Sequence, residues 1–178
     1  MPTTISWSSF RLPISDCCVA WTDDGVCALS LNGPNGRFLS QFERHGLDIL
    51  QRTKCRSDVR AQLEEYFDGE RQEFSTPLDF VLGTAFQHEV WSTLTKIPFG
   101  ETRSYKWLAK QTGRPRASRA VGHANGRNPI PVIVPCHRVI SANGTLGGYT
   151  GGLDLKRKLL ALEGVAVSQL ISSSREDH

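Results

Sequence analysis

Ser104-Tyr105-Lys106-Trp107-Leu108-Ala109-Lys110-Gln111-Thr112-Gly113-Arg114-Pro115-Arg116-Ala117-Ser118-Arg119-Ala120-Val121-Gly122-His123-Ala124-Asn125 holds two short helical patterns separated by a tight turn. Ser104 stands where an N-cap oxygen is needed, so a helix is predicted over Tyr105 to Gln111, closed by Gly113. After Arg114-Pro115-Arg116 a second helix runs from Ala117 to about Asn125, rich in small residues and basic at both ends. Two such helices make a helix-turn-helix pattern, which serves DNA binding and plain packing alike.

On the N-terminal side of this pattern, Phe86, Val90, Trp91 and Leu94 share one face of a helix predicted over Thr84 to Ile97. Thr84 and Gln87 have capping-box spacing, and Pro98-Phe99-Gly100 ends the helix. On the C-terminal side, Asn128-Pro129-Ile130-Pro131 cannot continue a helix, because neither proline carries an amide hydrogen. Val132-Ile133-Val134 reads as a short buried β-branched strand delivering Pro135-Cys136-His137-Arg138-Val139-Ile140. Ser141 to Gly152 has five glycines in twelve residues, a loop whose backbone can approach a ligand closely. A last amphipathic helix is predicted over Leu153 to Glu163, with Leu155, Leu159 and Leu162 inward and Lys156, Arg157 and Lys158 forming a basic cluster.

The first half has a different texture. Cys17 to Thr22 and Val26 to Leu31 read as two strands joined through Asp23-Asp24-Gly25, Asn32 to Gly36 as a further turn, and Asp58 to Phe67 as a helix. Pro77 disfavours helix in Thr76, so an extended linker follows. The expected organisation is an α+β N-terminal domain over 1–75, a linker over 76–83, a mostly helical C-terminal domain over 84–167 and a flexible tail over 168–178.

Charge divides the same way. Residues 84 to 164 hold twelve Lys and Arg against four acids, whereas residues 1 to 83 hold eight against twelve, so the formal net charge of +3 conceals a strongly basic second half. Such a block attracts a polyanion by counterion release, and nucleic acid is the natural partner; solvated helix faces would give the same count. Of the 178 residues 39% are hydrophobic and 22% charged, which excludes disordered, collagen-like and coiled-coil chains. No run has the length of a membrane span, and Met1 to Trp7 has neither basic leader nor apolar signal core. The expectation is a cytoplasmic, nucleoid-associated protein, or a nuclear one in a eukaryote. Five cysteines in no framework spacing predict reduced thiols; Cys17, Cys18, Cys27 and His45 match no familiar zinc pattern.

Cys136 has the one reactive setting among these cysteines. His137, Arg138 and the surrounding positive field can lower a thiol pKa, and Glu163 is the carboxylate available to orient the imidazole. Adjacent side chains rarely face each other, so His137 is expected to act through a bridging water. A buried, inert thiol is the competing reading.

The run Arg119-Ala120-Val121-Gly122, Asn125, Arg127-Asn128-Pro129, Ile130 to Ile140 with Pro-Cys-His-Arg-Val at its core, then Gly147, Tyr149 and Gly151-Gly152-Leu153, resembles the methylated-DNA-protein-cysteine methyltransferases. The likeness reaches back through Phe86-Gln87, Val90-Trp91 and Ile97 to Tyr105 and forward to Glu163-Gly164, covering roughly residues 75 to 165. It implies a ribonuclease-H-like sheet-plus-helix domain at the N-terminus and a winged helix-turn-helix-like motif in the C-terminal domain.

The resemblance also implies roles. Cys136 would accept the alkyl group from O6 of guanine, and less readily from O4 of thymine, once the nucleotide is extruded from the duplex. His137 through a water would deprotonate it, Glu163 would hold His137, and Asn128 would brace the turn beneath. Tyr105 would donate to guanine N3 so that the base departs neutral. Arg119 would fill the gap in the stack, with Ala117, Ser118, Ala120, Gly122, Tyr105 and Arg127 along the DNA. Pro131, Val139, Leu146, Gly147, Tyr149, Thr150 and Asn125 would line the base pocket. No cofactor or metal is called for. The partner is alkylated double-stranded DNA, bound by a monomer, with cooperative loading along the duplex left open and no membrane involved. His123 and Asn125 stand where relatives carry a small and a larger apolar residue, which leaves pocket width open. Three other readings compete. A damage-binding relative would lack the acceptor cysteine, a regulator would carry an additional zinc-thiolate domain, and a Cys-His-Glu hydrolase would need an oxyanion hole and a peptide cleft.

Overall fold

Gly25 ends the hairpin turn where the backbone of Pro77 comes so close that a Cβ would lie 2.6 Å from its carbonyl oxygen. That approach lets Val26 donate to Pro77 (2.8 Å) and accept from Asp79 (2.9 Å), so the extended segment around Leu78 pairs with the sheet edge. The computed structural model describes residues 3–167. The chain forms two compact units, one comprising residues up to Gly83 together with Pro129–Pro131, the other Thr84–Asn128 and the chain from Val132 onward. The tail expected over 168–178 lies outside the described residues.

In the first unit β1 (Thr4–Arg11), β2 (Asp16–Trp21), β3 (Val26–Ser30) and β4 (Asp48–Gln51) form one sheet in the order β3-β2-β1-β4. The first three are antiparallel, and β4 runs parallel to β1. α1 (Gly36–Glu43) lies before β4, and α2 (Ser57–Phe67) follows it. The expected turn at Asn32 to Gly36 leads directly into α1, because the Asn35 side chain caps it through the Phe38 amide (2.9 Å) and Phe38 and Phe42 then share the buried face. Ile5, Trp7, Cys18, Ala20, Cys27 and Phe42 form the core. Cys18 and Cys27 are free thiols there, pushed up to about 12 by burial, which makes them poor nucleophiles and poor ligands in that state.

The second unit is helical: α3 (Ala85–Leu94), α4 (Tyr105–Gln111), α5 (Ser118–Gly126) and α6 (Leu153–Leu162), with a two-strand parallel pair β5 (Arg103–Ser104) and β6 (Val139–Ile140). Thr84 and Gln87 form the capping box of α3. The helix stops at Leu94 rather than Ile97 because Lys96 and Ile97 bond three residues back, tightening the last turn. Ser104 caps α4 through the Trp107 amide at 3.0 Å. The Trp91 indole donates to the Ala124 carbonyl (2.8 Å), tying α3 to α5. Among the described residues no helix is long and apolar enough to cross a membrane.

Two sequence expectations fail here. Val132-Ile133-Val134 is a buried turn, not a strand, since Val132 adopts φ 73°, a left-handed conformation that breaks any ladder and is costly for a β-branched residue. Lys156 does not join a solvated basic cluster; it is fully buried, on the same side of α6 as Leu159 and Leu160, because its ammonium is saturated by backbone carbonyls.

Candidate active site

The β5–β6 pairing aligns Arg103 with Val139 and Ser104 with Ile140, which sets the first residue of α4, Tyr105, beside the chain that follows Cys136. Cys136, His137 and Arg138 form a single 3-10 turn, all buried. Its entry is pinned by the Val134 carbonyl, which accepts from the Cys136 amide (2.8 Å) and from Asn128 Nδ2 (2.8 Å). Asn128 thus braces the turn, and its side chain also hydrogen-bonds the Cys136 sulfur, as does that of Tyr149.

His137 Nε2 lies 2.7 Å from Glu163 Oε1, with both side chains wholly buried. A carboxylate surrounded by this many donors can only accept, so Nε2 carries the proton and Nδ1 offers a lone pair. Nδ1 is buried and has no protein hydrogen-bond partner among the described residues. Glu163 is held from three further directions: Arg138 Nε to Oε2 (2.9 Å), Arg138 Nη2 to Oε1 (2.9 Å) and the Gly100 amide to Oε2 (3.3 Å).

Burial pushes the Cys136 thiol pKa up, against the hydrogen bonds from Asn128 and Tyr149 and the nearby Lys156 charge, which act to lower it. Burial pushes His137 below its ordinary value, against the pull of Glu163. Both shifts favour a neutral thiol beside a neutral imidazole. The expectation that Arg138 activates the sulfur is corrected: Arg138 turns to Glu163, and the cation coupled to Cys136 is Lys156.

Lys156 escaped the sequence reading because its neighbours Arg157 and Lys158 made it look like one of a surface cluster. Its Nζ donates to the carbonyls of Val139 (2.6 Å), Leu146 (2.5 Å) and Gly148 (3.3 Å), stitching the chain after Cys136 to the glycine loop. The one available signal was its helical spacing with Leu159 and Leu160, three and four residues on, which puts it on the apolar side.

Tyr105 hydroxyl reaches the Gly148 carbonyl (3.5 Å). Burial and the proximity of Cys136 raise its pKa, so it stays a proton donor. Gly147, at φ 69°, lies so near that a Cβ would come within 2.9 Å of that hydroxyl; only glycine lets Tyr105 occupy this place. Thr150 Oγ1 donates to the Gly126 carbonyl (2.6 Å), and Asn125 Nδ2 to the Cys136 carbonyl (3.5 Å), linking the loop and the turn to α5. Leu146 and Val139 are buried beside them. Pro131 falls in the three-residue excursion grouped with the first unit, outside this hydrogen-bonded cluster.

α5 and its two caps present Arg119, Ala120, His123 and Arg127 to solvent, with Ala117, Ser118 and Gly122 half-exposed, while Val121, Ala124 and Asn125 face inward. Ala117 gives the helix no side-chain cap, which leaves its first amides available to an anion.

The ribonuclease-like domain of the 6-O-methylguanine DNA methyltransferases matches residues 5–80, and the DNA-binding domain of the same proteins matches residues 85–165. Methylated-DNA--protein-cysteine methyltransferases of Methanosarcina acetivorans and Mycolicibacterium paratuberculosis are each 60% identical, over 107 and 102 residues, covering 60% and 57% of this chain and 68% and 61% of theirs. A crystal structure of Mycobacterium tuberculosis OGT in complex with DNA superposes with a TM-score of 0.78 at 42% identity, over 93% of this chain and 94% of that one. The O6-methylguanine-DNA methyltransferase of Pyrococcus kodakaraensis gives 0.70 at 28% identity, over 90% and 99%. With both domains matched in order, the buried Cys136-His137-Arg138 turn held by Glu163, and the relatives' likeness, the chain belongs to the methylated-DNA--protein-cysteine methyltransferases.

Proposed function

We propose that this chain repairs DNA by drawing an alkylated guanine out of the duplex and moving the alkyl group from O6 to Cys136 Sγ, each molecule acting once; O4-alkylthymine is the slower substrate. The observation that carries the reading is His137, locked by Glu163 through Nε2 while Nδ1 keeps a free lone pair in a buried site one residue from the thiol. A water between Nδ1 and the sulfur takes the thiol proton as the S–C bond forms and the C–O6 bond breaks. Tyr105 donates to guanine N3, so the leaving base gains a proton where its charge develops. The thioether so formed is inert, because water does not displace a thiolate from an unactivated alkyl carbon, which makes consumption stoichiometric.

The uncapped start of α5 with the exposed Arg119, and the exposed Arg127 just past its far end, support DNA contact along this helix, and Arg119 occupies the gap that the extruded nucleotide leaves. Extrusion costs a few kcal/mol, less for a base pair already weakened by alkylation. Arg119→Ala is therefore expected to slow repair in duplex by on the order of a hundredfold while changing reaction with free alkylguanine by less than about twofold. Equal losses on both substrates would remove Arg119 from extrusion.

The test of the whole reading is mass spectrometry after incubation with an O6-methylguanine duplex. One methyl group per protein on the Cys136 peptide is expected, and more than one lesion cleared per molecule would overturn it.

A further inference from the structure

Three groups compete for one carboxylate at the base of the site. Glu163 receives the His137 imidazole and a two-point contact from the Arg138 guanidinium, both buried, and the Gly100 amide. Arg138 is itself fixed, since Nη1 donates to the Ile97 carbonyl (2.5 Å) and its guanidinium lies 5.9 Å from the centre of the Phe99 ring. A guanidinium never gives up its proton, whereas an imidazole readily does. With the Arg138 fork engaging both oxygens, the carboxylate charge is already neutralised, and the imidazole need only donate from Nε2.

We infer that Arg138 is a positioning residue of the transfer reaction: by neutralising Glu163 it keeps His137 an uncharged base rather than the imidazolium half of an ion pair. This inference rests on the His137 relay proposed above. The physics is a comparison of two states. Without a permanent cation, a buried carboxylate 2.7 Å from an imidazole draws a proton onto it, and a protonated His137 has no lone pair for the thiol proton. With Arg138 in place, that pull is spent on a charge that cannot move. The charged and titratable groups that face His137 or Cys136 are Glu163, Arg138, Lys156, Cys136, Tyr105 and Tyr149. Lys156 also acts against protonation of His137, but it touches carbonyls and not Glu163. Arg138 alone of the two acts on the carboxylate that would bind the proton.

The experiment measures the single-turnover rate against pH for the native chain, Arg138→Gln, which keeps a neutral donor, and Arg138→Lys, which keeps the charge. The rate falls on the acid side as His137 protonates. In R138Q the acid midpoint is expected to rise by about one pH unit, with the rate recovering at higher pH, while R138K stays within a few tenths of a unit of the native midpoint. A uniform loss in R138Q with an unmoved midpoint would make Arg138 merely structural and overturn the inference. If R138Q fails to fold, the 15N shifts of His137 in the native protein carry the test: a neutral ring protonated on Nε2 at pH 7 supports it, and an imidazolium overturns it. A native chain that forms no Cys136 adduct would defeat the transfer reading instead, and the ring shifts would still report on Arg138.

Discussion

Cys136→Ala is expected to abolish methyl transfer to the protein entirely, with binding to duplex DNA retained within about threefold. The other cysteines offer no substitute. Cys18, Cys27 and Cys55 are pushed up to about 12 by burial, Cys17 is raised as well, and none has an imidazole relay among its described partners. Folding should survive, because removing one buried sulfur from a turn costs only about 1 kcal/mol, and the Val134 carbonyl keeps both of its donors. Intact-mass measurement after exposure to alkylated duplex reads the first outcome and a filter or anisotropy titration the second. Residual adduct formation would mean that another thiol is the acceptor.

Lys156→Met is expected to be the most damaging substitution away from the sulfur. The buried carbonyls of Val139 and Leu146 lose their charged donor, and the exposed Gly148 carbonyl keeps only its contact from Tyr105. At roughly 1–3 kcal/mol for each orphaned acceptor, offset by relief of a buried charge, the net loss is about 3 kcal/mol, a fall in Tm on the order of 10 °C. Methyl transfer should drop more than tenfold as the loop holding Tyr105 and Tyr149 slackens. The sign with pH follows from burial, which lowers the Lys156 pKa from 10.5 to about 8. The folded chain thus carries an unfavourable charge below pH 8, and that cost fades as pH rises from about 8 to 10.5, a range in which the unfolded lysine is still protonated. The native chain should gain stability relative to K156M across this window. Thermal melts at pH 7 and 9.5 check it, and a gap that narrows on raising the pH would refute the assignment.

Much of this molecule is legible from local chemistry. The Thr84–Gln87 capping box, the Ser104 cap and the Asp-Gly hairpin each depend on neighbours a few residues apart, and each lies where the sequence puts it. β4 was missed because four residues, one of them the exposed Leu50, carry too little pattern, and its partner β1 is more than forty residues away. β1 was missed although Ile5 and Trp7 alternate inward, since Ser8 and Ser9 blur the period. The strand expected at Val132 to Val134 failed for the opposite reason. Its composition is ideal for a ladder, but the prolines around it and the left-handed Val132 make those residues turn filling. At the site, His137 beside Glu163 followed from residue type alone. The burial of Lys156 and the engagement of Arg138 with Glu163 did not, because both depend on which carbonyls and carboxylates the tertiary fold leaves needing a donor.

The burial of Cys136 sets how the molecule fares between synthesis and its encounter with damage. A cysteine only 5% exposed, held as a thiol by its surroundings, gives small electrophiles and oxidants in the surrounding solution little to attack. If each molecule reacts once, as proposed, this reticence is what keeps the warhead unspent until a damaged base is seated.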